Sequence, residues 1–122
     1  MIRLTIPGEL CDLNTYVNAE RSSRFKGAKI KKEETYRCSL EARVAKTEGV
    51  SEYPVRIEFT WYTKDLRKDV DNITFSKKFI LDGLVDAGVI KNDNRKHVAL
   101  ATDTGIYVDK ENPRVEVLIC SI

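Results

Sequence analysis

Asp69 and Asp71 stand one residue apart in the run KDVDNITF, and Asp93 sits further on in the polar run KNDN. Carboxylates are hard oxygen donors, and three of them meeting at one point require neutralisation. Two such groups about 4 Å apart repel by roughly 4 kcal/mol at an effective dielectric near 20. Protonation of one carboxylate, pairing with Arg67, Lys68 or Lys78, or a bound divalent cation would each relieve that repulsion. Mg²⁺ suits the set, because it takes oxygen ligands, accepts few protein contacts and keeps waters that can attack a phosphate. A calcium loop does not fit: the EF-hand glycine is missing, and Ile73 and Phe75 fall where oxygen ligands are wanted. Each aspartate also has a plain reading, with Asp71 as a helix N-cap, Asp93 as a turn residue and Asp69 as a solvated charge beside Arg67 and Lys68. Lys78 has one too, as the partner of Asp82 one helical turn on.

Other chemistries are poorly supplied. His97 is the single histidine and lies in HVALA, which reads as a strand, so no two-histidine site can form. Cys11, Cys38 and Cys120 are odd in number, widely spaced and without a CxxC pair, which argues against a disulfide framework or a zinc site and suits a reducing compartment. No apolar run approaches the roughly 20 residues that cross a bilayer, and the opening MIRLTIPGELCDLN lacks a signal-peptide core. These features imply a cytoplasmic protein without a membrane partner. The net charge is only +2, yet Arg21, Arg24, Lys26, Lys29, Lys31 and Lys32 fall within one stretch that has no acidic residue. That stretch is either a solvated helix face or a surface for phosphates.

The elements that must position these groups follow from periodicity. Ile2, Leu4 and Ile6 alternate with polar residues and predict a strand over 2–6, closed by Pro7-Gly8. Residues 13–18 are apolar enough to pack, with Asn14 as a possible cap, but Ser22, Ser23 and Gly27 weaken a continuous helix. A firmer helix is expected from Ala28 to Lys46, with Tyr36, Leu40 and Val44 as its core stripe and Gly49 as its stop. From Pro54 to Lys64 the period is two, with Val55, Ile57, Phe59 and Trp61 on one side. Asp71 or Asn72 then caps a helix over 73–87 that ends at Gly88; Ile73, Ile80, Leu84 and Ala87 share one face, and Phe75 and Phe79 fall nearly opposite. Three short strands follow over 97–103, 106–108 and 115–119, separated by turns at Thr104-Gly105 and Asn112-Pro113. The length fits one domain over 1–122. The order β-α-β-α-β-β-β predicts an α+β (mixed α/β) fold in which a small mixed parallel and antiparallel sheet carries two main helices.

Within this frame the chain resembles the RusA family of Holliday junction resolvases. The resemblance is carried by Asp69-Val70-Asp71-Asn72, Lys78, Leu81-Asp82-Gly83-Leu84 and Asn92-Asp93, with support from IPGELCDLNTY near the start and the Asn112-Pro113-Arg114 turn. It implies that Asp69, Asp71 and Asp93 are catalytic carboxylates that ligate Mg²⁺, with Mn²⁺ as a substitute, and that Lys78 assists phosphodiester cleavage. It also implies a homodimer that places paired nicks across a four-way DNA junction, in recombination and repair in a bacterial or phage setting. The basic residues from Arg21 to Lys32 would then hold DNA phosphates, and Phe75 and Phe79 are candidates for a dimer contact or a wedge at the junction. Two departures are visible. Asn92 replaces the first aspartate of an Asp-Asp pair, and the interval from Asp71 to Leu81 is longer than in the best-known form, so Lys77 is the alternative to Lys78. Two other functions are compatible with the same residues: a metal-dependent nuclease for forked or flapped DNA, and a non-catalytic DNA-binding protein whose aspartates are structural.

Overall fold

The computed structural model describes residues 1–45 and 48–122. Its elements are β1 (Ile2–Pro7), α1 (Leu13–Ser22), α2 (Arg24–Ala45), β2 (Val55–Thr63), α3 (Val70–Thr74), α4 (Lys77–Asp86), β3 (Val98–Val108) and β4 (Arg114–Ser121). The four strands form one sheet in the order β1-β4-β2-β3. β4 pairs antiparallel with β1 and β2, while β2 and β3 are parallel and joined through α3 and α4. The fold is therefore α+β with a mixed sheet, as the order of patterns implies.

Strict alternation makes β2 the centre of the core: Val55, Ile57, Phe59 and Trp61 are all buried. They pack with Leu4 and Ile6 of β1, Val115, Val117 and Ile119 of β4, and Phe79, Ile80 and Leu84 of α4. At an ordinary 1.5–3 kcal/mol per buried large side chain, this cluster supplies most of the force that holds helices to sheet.

Four expectations about the elements change. Residues 13–22 form a full helix, because Asp12 caps it by accepting from Thr15 N–H at 2.7 Å; Asn14 lies inside it. The second helix begins earlier than expected, at Arg24, and the expected end at Lys46 lies outside the described residues. Its Tyr36, Leu40 and Val44 stripe is 61%, 44% and 84% exposed, so it is not the core face. The buried side is instead Gly27, Cys38, Ser39 and Ala42, small residues that let the helix backbones approach closely.

The helix expected over 73–87 is two helices. Between them the backbone tightens, with Ser76 N–H donating to Ile73 O and Lys78 N–H to Phe75 O, and the Ser76 hydroxyl donates to Ile73 O at 3.0 Å. The break shifts the phase of α3 relative to α4, and within α4 Phe79, Ile80, Gly83 and Leu84 are all buried, so Phe79 is not on a face opposite the core. Finally, Thr104-Gly105 does not turn, and two strands replace the three expected after His97. Thr104 is an extra residue opposite the Phe59–Thr60 step, bonded to Thr60 Oγ1 at 2.6 Å. Gly105 continues the strand, paired with Thr60, and the Tyr107 side chain lies over it, its hydroxyl 2.5 Å from where a Cβ would stand.

Candidate functional site

One end of the sheet gathers most of the segments singled out above. There β1 finishes, β2 finishes and β4 begins, and Gly8 N–H donates to Pro113 O at 2.8 Å. The chain leaving β2 is tied to the chain leaving β1 by Lys64 N–H to Glu9 Oε2, 3.2 Å, and by Lys68 Nζ, which lies 3.2 Å from Glu9 and 3.0 Å from Asp12. Asn14 N–H then donates to Asn72 Oδ1 at 2.9 Å, joining the first turn of α1 to the Asp-x-Asp-Asn segment. The two asparagines are 58 residues apart in the chain.

Asp69 holds the N-cap position of α3 in extended conformation, and Asp71 lies in its first turn. The cap is therefore Asp69, not Asp71 or Asn72, and its side chain makes no cap hydrogen bond. Both carboxylates are exposed, and no cation pairs with them among the described residues. Their neighbours differ: Glu9 and Asp12 share Lys68, Asp65 faces Arg67 at 3.7 Å, and Asp82 faces Lys78 at 3.3 Å. Burial works against both charges of the Lys68–Asp12 pair, but hydrogen bonds outweigh it. Asp12 is held below the usual carboxylate range by Thr15 and Lys68, and Lys68 is held above its ordinary value by Asp12 and Glu9.

Asp93 lies elsewhere. It sits in the turn where Asn94 N–H donates to Asn92 Oδ1, next to His97, whose Nδ1 is 2.6 Å from Asn94 Oδ1 and whose ring meets Tyr53 edge-on. Tyr53 precedes the start of β2, and the start of β3 lies beside it, so this is the opposite end of the sheet from Asp69. Among the described residues no three Asp, Glu, His or Cys side chains converge on a possible metal position. Of the three aspartates, Asp69 and Asp71 stay together within one chain, at the start of α3. That pair fits Mg²⁺, which commonly binds through one or two carboxylates and otherwise keeps water or substrate phosphate; the three-aspartate set does not assemble in one chain.

The two lysines differ in direction. Lys77 turns toward the sheet, 2.7 Å from Asp103 and over the Phe59 ring, and Asp103 also accepts from Trp61 Nε1 at 2.8 Å. Lys78 is 57% exposed and only loosely paired with Asp82. This Lys77–Asp103–Trp61 arrangement has a sequence signal only in hindsight, since Asp103 was one polar residue among several in a strand.

Arg21 closes α1, and Arg24, Lys26, Lys29, Lys31 and Lys32 occupy the first turns of α2. All six are exposed; Lys26 reaches Ser22 Oγ at 3.1 Å and Lys29 reaches Glu33 at 3.8 Å. Lys31 and Lys78 flank an open cleft floored by Tyr16, Phe75 and Phe79, which connects the basic segment to α4. Phe79 is 1% exposed, so its ring belongs to the core and cannot act as a wedge or a dimer contact; Phe75 is half-buried against Tyr16. The cysteines are unpaired, and burial pushes the Cys38 thiol up to about 12 and the Cys11 thiol to about 11, the latter helped by Glu34 and Asp12. Neither offers a nucleophile near neutrality. No helix among the described residues is long and apolar enough to cross a membrane.

A scan against protein-family models gives no match to this chain, and a search of curated proteins gives none either.

Proposed function

We propose that this protein is a Mg²⁺-dependent endodeoxyribonuclease of the RusA kind, acting on four-way DNA junctions. The observation that carries the reading is the unpaired state of Asp69 and Asp71, in a segment where Glu9, Asp12, Asp65 and Asp82 each have a cationic neighbour. Leaving two exposed carboxylates without a cation at the start of one helix favours an external cation. Asp69 and Asp71 would hold Mg²⁺, which when bound activates water and offsets charge on a phosphate. Asn72 fixes where the segment lies through Asn14. Lys78 is the lysine free to face a scissile phosphate, because its surface pair with Asp82 is weak. Lys77 is committed to Asp103 and supports the start of α4 against the sheet. Arg21 to Lys32 hold duplex arms through phosphate contacts, which position DNA without reading its sequence.

Incubation with four-way, forked and linear duplex DNA, with and without Mg²⁺, tests this reading. Mg²⁺-dependent nicking confined to the four-way junction is expected, and Asp69→Asn or Asp71→Asn should lower it by at least about 100-fold, the scale on which a lost transition-state contact acts, while junction binding is kept. Cutting of forks in preference to junctions would reassign the substrate, and binding without Mg²⁺-dependent cleavage would leave a DNA-binding protein.

A further inference from the structure

An apolar cleft opens one helical turn from Asp71. Tyr16 of α1, Phe75 at the end of α3 and Phe79 of α4 floor it, and Lys31 of α2 and Lys78 of α4 stand at its sides. Among the described residues no acidic side chain lines it. The rings pack on one another, with the Tyr16 centroid 5.3 Å from that of Phe75 and 5.9 Å from that of Phe79. Phe79 is buried, whereas Tyr16 and Phe75 are part-buried and keep surface in the cleft. Both of these rings are tied to the Asp-x-Asp-Asn segment. Phe75 N–H donates to Asp71 O at 3.2 Å, and Tyr16 lies two residues past Asn14, whose N–H donates to Asn72.

We propose that this cleft takes one unpaired nucleotide of a DNA strand, its base laid against Tyr16 and Phe75 and its phosphates held by Lys31 and Lys78. The inference rests on the nuclease reading above for the DNA, and on the chemistry of the cleft for the nucleotide. A nucleotide joins a flat π-face to anions, and an aromatic floor between two cations matches both halves. An apolar helix or a lipid tail would use the floor but leave both cations without a counter-charge. Lys31 is exposed and has no ion pair among the described residues, and Lys78 has only its loose pair with Asp82, so both are open to phosphate. Lys31 also belongs to the basic stretch from Arg21 to Lys32, so the cleft continues the surface proposed for the duplex arms. Its volume, about 330 Å³, is at the low end of the roughly 300–1,000 Å³ of small-molecule sites, which suits one nucleotide. A base inside a continuous duplex is stacked and paired and does not enter, whereas a base at a branch point, already partly unstacked, enters at little cost. The cleft thereby favours branched over linear DNA without reading sequence, since every base has a π-face.

Fluorescence anisotropy of short labelled strands on the full-length protein, without Mg²⁺, tests this. The probes are a thymidine tetranucleotide and the same backbone with abasic residues throughout. Wild type should bind the thymidine strand about 10-fold more tightly, the scale of one base stacked on an aromatic ring. Phe75→Leu and Tyr16→Leu keep apolar packing but remove a π-face, so each, once shown folded by circular dichroism, should close most of that gap. Lys31→Gln should weaken both strands alike. A reading that needs no variant is photo-crosslinking of a 5-iodouracil strand to wild type, which should label Tyr16 or Phe75. Phe25, 86% exposed in the same basic stretch, is the competing ring. Equal binding of the two strands, binding of neither, or crosslinking at Phe25 alone overturns the cleft. If wild type still cuts four-way junctions with Mg²⁺ in that case, the nuclease reading stands without it. A base-dependent gap and a crosslink at Tyr16 or Phe75 in a protein that cuts no DNA would uphold the cleft and remove the nuclease reading. Wild type that binds neither strand and cuts no junction overturns both.

Discussion

Lys68 is the residue whose environment says most about how the candidate site is held. In sequence it is a cation one position before Asp69, and pairing with the aspartate cluster is the obvious use for it. In the fold it reaches back to Glu9 and Asp12 instead, because the end of β1 and the cap of α1 lie against the segment leaving β2. Both partners are mostly shielded, so these charge-assisted bonds are worth more than surface pairs. Lys68→Met should cost about 1–2 kcal/mol at pH 7, read by urea unfolding. The sign with pH follows from the two shifts. Asp12 is held low, so its contribution is present above its unfolded value near 4 and lost as pH falls through its folded value. Lys68 is held high, so its contribution is full below its unfolded value near 10.4 and lost as pH rises through its folded one. The difference between wild type and Lys68→Met should accordingly be largest between about pH 5 and 9 and shrink below about pH 4. A difference that persists at pH 3 would mean the lost methylene packing, not the charge, was responsible.

The contact between α2 and α4 is decided by Gly83. A Cβ there would stand 2.6 Å from Cys38 Cβ and 2.9 Å from Ser39 N, and Ser39 N is backbone that cannot swing aside. Gly83→Ala gains about 1 kcal/mol of helix propensity, but overpacking of this kind costs about 1–3 kcal/mol. Net destabilisation of about 1–2 kcal/mol is expected in urea unfolding, and a stabilised variant would show that the helices can part without loss. The same contact explains why the stripe of Tyr36, Leu40 and Val44 misled: large residues at helical spacing look like a core face, but α2 lies so close to α4 that only Cys38, Ser39 and Ala42 fit between. The break between α3 and α4 is marked by local bonds, Ser76 N–H and its hydroxyl both donating to Ile73 O. Phe75 and Phe79, four residues apart across the tightened turn at Ser76, pack on each other and on Tyr16.

At the scale of the whole molecule the charge distribution bears on DNA. With a net charge of only +2, the proposed binding to phosphate needs a local surface, and the exposed basic residues at the start of α2 are the surface proposed for it. The logarithm of junction affinity should fall linearly with the logarithm of salt, and Arg24→Ala should reduce the slope by about 0.9 for each phosphate contact removed. An unchanged slope in Arg24→Ala and Lys32→Ala would place the DNA elsewhere. The sequence by itself determined β1, β2 and the α+β class, since period-two and helical patterns are local and each strand carries its own buried face. It also singled out the segments on which the proposed function rests, because their residues are legible as letters. Only the tertiary structure decided which of them meet. Asn14 and Asn72 come together across 58 residues, while Asp71 and Asp93, much nearer in the chain, lie toward opposite ends of the sheet. The reason is that a helix joining two parallel strands must carry the chain back along the strand it has just left, so residues at its two ends cannot share a site within one copy.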